Sequence, residues 1–156
     1  MNGNISRLCS PTERLERRPA AAIANREQAD LFLSIHANAS TNKQARGVES
    51  YFLNIATNPS AEAVAARENA SSGQSMADAT KLVNAILLNN KLDESRDLAM
   101  IVQHAMLQNL QGLNKTVRDL GVKQAPFVVL IGASMPSVLS EISFLTNTQD
   151  AKLLKT

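Results

Sequence analysis

Tryptophan is absent, tyrosine occurs once, and aromatic residues make up only 3% of the chain. A surface that stacks the bases of single-stranded nucleic acid relies on rings, so the composition argues against that class. Charge of one sign is equally scarce. Sixteen basic residues against 14 acidic ones leave +2, too little surplus to hold phosphate backbones non-specifically. The single cysteine, Cys9, rules out an internal disulfide and a cysteine-based zinc cluster, and fixes no compartment. No apolar run approaches the length of a membrane span. The opening "MNGNISRLCSPTERLERRP" has no apolar stretch, so no signal peptide is read there. A protein working outside the cytoplasm would carry its export signal upstream. Internal repeats and low-complexity linkers are lacking as well.

What is present suits one globular domain: 156 residues, 44% hydrophobic and 19% charged. A chain of this length can bury about 70% of its unfolded surface. Residues 1–11 read as irregular. From Thr12 to Asp30 the composition is helical, with Pro19 expected to break the helix and restart it towards Gln28. Leu31 to Ile35 reads as a short buried strand, and "GVESYFLN", Gly47 to Asn54, as a second that could neighbour it. Asn58 and Pro59 form a helix start, N-cap then first turn. Ser75 precedes another helical run, "MADATKLVNAILLNN". A third begins near Asp93, with Leu98, Ile101, Val102, Ala105, Met106 and Leu110 as its apolar stripe and Gly112 as its end. "PFVVLIG", Pro126 to Gly132, reads as a central strand covered on both faces, and "PSVLSEISFLTN" as a last strand before a helix capped by Thr148. Strands alternating with helices predict a three-layer α/β fold with a mainly parallel sheet.

Ligands of such sheets gather at the carboxyl ends of strands. His36 closes one apolar run, and Glu141 sits late in "SVLSE". The pair suits a zinc site: an imidazole ligand, an open position for water, and a carboxylate base. A buried, hydrogen-bonded structural histidine fits the same spacing. Glu141 points further, because a carboxylate inside an apolar run needs a partner or a task. His104 lies off its helix's apolar stripe and reads as solvent-facing. Met100 and Met106 read as core filler or helix surface, Arg14, Arg17 and Arg18 as a solvated face, and Asn38 as a loop residue.

"ADLFLSIHANAS", "GVESYFL" and "MPSVLSEISFLTN" together resemble the zinc-dependent N-acetylmuramoyl-L-alanine amidases of the bacterial cell wall, the amidase-3 family. "AIAN" and "FVVL" match in order, and the resemblance spans about Ala20 to Leu154. It implies that His36 binds zinc and that Glu141 is the catalytic carboxylate. The reaction implied is cleavage of the amide between N-acetylmuramic acid and the L-alanine of the peptidoglycan stem peptide. It also implies a periplasmic or cell-wall location. The family's "GHGG" histidine and its following glutamate, the other two zinc ligands, have no counterpart here, and Leu120 stands where the family often has Arg. The resemblance therefore describes a partial catalytic domain over residues 12–156. First strands, first helix and last helix of the family fold are missing, and the chain as given is expected to be inactive. A segment at about 59–90 resembles the helical insertion of the division-associated amidases. Glu68 would be the glutamate that blocks the zinc site until an activator protein displaces the helix; a solvated helix charge is the plainer reading. Two other functions stay open: a non-catalytic remnant that binds cell-wall peptide or a partner, and another zinc peptidase of similar fold.

Overall fold

The computed structural model describes residues 20–71, 79–113 and 117–155. The expectations for residues 1–19, Cys9 and Arg14, Arg17 and Arg18 among them, and for the helix start at Ser75, lie outside those residues. The order is α1 (Ala20–Arg26), β1 (Phe32–Asn38), β2 (Val48–Leu53), α2 (Pro59–Ser71), α3 (Ala79–Leu87), α4 (Leu92–Leu113), β3 (Asp119–Ala125), β4 (Ser137–Phe144) and α5 (Thr148–Leu153).

The four strands form one sheet in the order β1-β4-β2-β3. β1 with β4 and β2 with β3 are parallel; β2 with β4 is antiparallel. The sheet is thus mixed, with parallel pairings in the majority. β1 and β2 are not neighbours, because β4 inserts between them. β2 is buried throughout and β4 nearly so, as central strands are. One face carries the larger core: Phe32, Tyr51, Leu53 and Leu139 pack with Ala24 of α1, Val64 of α2 and Ile86 of α3. On the other face Phe52 and Val138 meet Ala99 of α4.

Local chemistry explains most boundaries. Asn58 Oδ1 accepts from the Ala61 backbone N–H at 2.8 Å, the expected cap at the start of α2. Asn147, not Thr148, caps α5: its side chain accepts from the backbone N–H groups of Gln149 and Asp150. Gly47 opens β2 with φ at +118°. A Cβ there would sit 2.4 Å from the Arg118 carbonyl oxygen, so the close approach to β3 needs glycine. Asp150 Oδ2 accepts from the N–H groups of Gly47 (2.9 Å) and Phe144 (3.0 Å), tying α5 to β2 and β4.

Two further expectations are corrected. Residues 126–132 are not a strand but a turn with a short 3-10 helix, Val128–Leu130. Pro126 has no N–H to give a ladder. Asn69 of α2 takes the polar groups on either side, donating to the Pro126 carbonyl and accepting from Val128 N–H, each at 2.9 Å. Phe127 and Leu130 still reach the core, so the apolar run was a burial signal rather than a strand signal. The strand lies just before it, in the mixed sequence "DLGVKQA", which is polar because β3 is an edge. On α4 the buried line is Ser95, Ala99 and Gln103, while Ile101 is exposed. Gln103 is buried because it donates to the Val48 carbonyl and the Asp119 carboxylate and accepts from Ser50.

Candidate active site

His36 and Glu141 are register partners on adjacent parallel strands, and Glu141 is in turn opposite Glu49 on β2. Directly paired residues point to one side of a sheet. The three side chains therefore form a row across β1, β4 and β2, on the face that α2 covers. The row falls late in β1 and β4 rather than at their last residues. Beyond it, Lys123 of β3 pairs with Glu49.

α2 lays two further side chains on this row. Glu68 Oε2 stands 2.6 Å from His36 Nδ1. The ring's other nitrogen, Nε2, is 2.9 Å from Ser34 Oγ, so the imidazole is gripped on both sides. Arg67 donates to Asn38 Oδ1 at 3.0 Å, and Asn38 Nδ2 donates to Glu49 Oε1 at 2.8 Å. Asn38 is accordingly no loop residue: it ends β1, is buried, and joins β2 to α2.

Glu141 is 0% exposed, and among the described residues neither of its carboxylate oxygens has a hydrogen-bond partner. Burial first, then the negative charges of Glu68 and Glu49, push its pKa up to about 8, with Arg67 pulling the other way. An ionisable group left in this state marks a functional position more often than a structural one. One ligand atom each from His36, Glu68 and Glu141 lie within 4.8 Å of one another, a nitrogen and two oxygens suited to a divalent cation. The donor set fits a metal, and the orphaned carboxylate is the observation that says so. His104 is exposed on α4, as expected.

Glu49, Arg67 and Lys123 went unread in the sequence. The signal for Glu49 was the one that singled out Glu141, a carboxylate inside an apolar strand, "GVESYFL". Arg67 and Lys123 carry no such signal, since a lone basic residue on a helix or strand reads as solvated.

Among known proteins, the amidase AmiA of Escherichia coli is 32% identical over 139 residues, covering 86% of this chain and 48% of that protein. AmiC of Neisseria meningitidis is 36% identical over 139 residues, 81% of this chain and 31% of that protein. The solved structure of the N-acetylmuramoyl-L-alanine amidase AmiC2 of Nostoc punctiforme superposes with a TM-score of 0.54 at 26% identity, over 87% of this chain and 52% of that one. The chain spans about half the length, or less, of the relatives it matches, and its four-stranded sheet is the corresponding part of their fold. With the N-acetylmuramoyl-L-alanine amidase model matched over residues 9–156, this chain belongs to that family.

Proposed function

We propose that the chain is the part of a peptidoglycan amidase that carries the catalytic carboxylate and one zinc ligand. The substrate bond is the amide between the lactyl group of N-acetylmuramic acid and L-alanine, and the place of action is the periplasm or cell wall. The observation that carries the reading is the juxtaposition of His36 and the buried, unpartnered Glu141 in a chain of this family.

His36 would hold the metal, and bound zinc would supply Lewis acidity at the scissile carbonyl. Glu141 takes the proton of the attacking water and returns it to the leaving amine, the role of a carboxylate standing beside the metal ligand His36. Glu68 occupies His36 Nδ1 and so competes for that ligand atom. An activator that draws α2 away would free it. A second reading has the same geometry behind it: Glu68 is itself a ligand, since its carboxylate closes the three-donor cluster.

The chain brings one imidazole to the site, whereas a catalytic zinc normally has three protein ligands. We expect weak zinc binding and no dye release from labelled sacculi by the 156-residue chain. Joined to an upstream segment that supplies the family's histidine and glutamate, it should gain about one zinc and hydrolyse. Glu141→Gln in that longer chain should keep the metal and lose turnover by about 10²–10⁴-fold. Glu68→Ala should raise zinc affinity and activity if Glu68 competes, and lower both if it is a ligand. Robust release from the 156-residue chain alone would overturn the site assignment.

A further inference from the structure

Beside the His36–Glu141–Glu49 row the same sheet face opens into a hollow of about 400 Å³, walled by the end of β1, the loop after it, α2 and β3. Four of its lining side chains are cationic, Arg46, Arg67, Arg118 and Lys123, against one acid, Glu49. Lys123 answers Glu49. The other three meet no carboxylate within ion-pair distance among the described residues. Arg67 donates to the amide oxygen of Asn38, and Arg46 to the amide oxygen of Gln149. The Arg118 guanidinium has no hydrogen-bond partner among the described residues. In a chain whose net charge is only +2, three arginines around one hollow with no ion-pair partner among the described residues are a local arrangement rather than a matter of composition.

The hollow also shares walls with the site. Asn38 lies two residues along β1 from His36, and Glu49 is register partner to Glu141. A peptide whose scissile amide rests at Glu141 and whose next residues run towards β3 would meet these arginines, and Arg46 and Arg118, which lie outside α2, keep their place even when an activator draws α2 away. Guanidinium groups bind carboxylates through paired N–H donors, with a directionality that a lysine lacks. The geometry points to a carboxylate-binding subsite that takes a free carboxylate of the peptide substrate, one or two residues beyond the bond cleaved. This rests on the amidase reading above and adds to it a preference among stem peptides. Those whose second residue keeps its α-carboxylate are favoured over those in which it is amidated.

The test is a binding titration of the 156-residue chain, followed by NMR. Lactoyl-L-alanyl-D-glutamate capped on its side-chain carboxyl is compared with the same peptide carrying an α-carboxamide. The acid should bind about tenfold more tightly, and added salt should erode the difference. Arg118→Gln should weaken the acid peptide about fivefold and leave the amide unchanged. Arg96→Gln, an equal loss of charge on the exposed side of α4, should change neither by more than about twofold. Equal affinity for the two peptides, no binding of either, or equal effects of the two substitutions would each overturn the subsite. Displacement of the acid peptide by inorganic phosphate at equal concentration would overturn it too, in favour of a phosphate-bearing polymer. The two readings fail separately. Equal hydrolysis of acid and amidated stem peptides by the extended chain sinks the subsite and leaves the amidase; acid-selective binding with no hydrolysis by that chain does the reverse.

Discussion

Glu141 shows how a single buried carboxyl can set the pH response of a fold. Its ordinary pKa of 4.5 rises to about 8 in the folded chain, chiefly through burial. Between those values the folded state holds a proton that the unfolded state has lost. Stability must therefore fall as pH rises across this window, and level off above it. Glu141→Gln keeps the shape and removes the charge. In the presence of a chelator, the variant should match the parent within about 1 kcal/mol at pH 5 and exceed it by roughly 2–5 kcal/mol at pH 8.5. Urea unfolding at the two pH values measures this, and a variant less stable at both would show that Glu141 is held by partners instead. Glu68 and Glu49 add to the effect by their charge, so their neutral variants should shrink the pH dependence without abolishing it.

At the scale of elements, short polar ties decide which pieces stay together. Asp150 of α5 accepts from two backbone donors, one leading into β2 and one at the end of β4. Asp150→Ala should cost about 2–4 kcal/mol, since it strands two buried N–H groups at once. It should speed hydrogen exchange at Gly47 and Phe144 before the rest of the sheet, and uniform acceleration would count against the local role. The same distinction between apolar runs and polar ties governs what could be read in advance. β1, β2, β4 and the helices α2 and α4 were legible as elements through their β-formers, spacing and caps, but β1 is exposed at Leu33 and Ile35, as is Leu31 just before it, rather than a buried strand, and the buried line of α4 is not its apolar stripe. His36 and Glu141 were legible as a pair through family motifs and the strand-end rule. β3 was not, because an edge strand need not be apolar. Phe127 and Leu130 misled for the opposite reason: they are buried from a turn. The grip of Glu68 on His36 and the Arg67–Asn38–Glu49 chain are long-range contacts between polar residues, to which no local pattern points.

Across the whole molecule, the sheet is unevenly covered. β1 is an edge strand, and on the side away from the site Leu33 and Ile35 are 45% and 63% exposed. A flat, apolar edge invites pairing with another chain. Sedimentation at rising concentration should show self-association of the 156-residue chain, and Ile35→Lys should suppress it while leaving Tm within a few degrees; a monomeric parent would refute this. The strand order has one more effect, on the chain while it is being made. The last strand sits in the middle of the sheet, with β1 and β2 on either side of it. His36 and Glu141 are register partners separated by more than a hundred residues of chain, so closing that pair comes late and is costly in loop entropy. A ribosome that has released β1, β2 and every helix up to α4 has made neither the carboxylate nor the strand that would hold β1 in place. In chains stopped at residue 136, the β1 amides should exchange as in an unfolded peptide. Until β4 is made, the growing chain holds His36 without the carboxylate that stands beside it in the folded sheet.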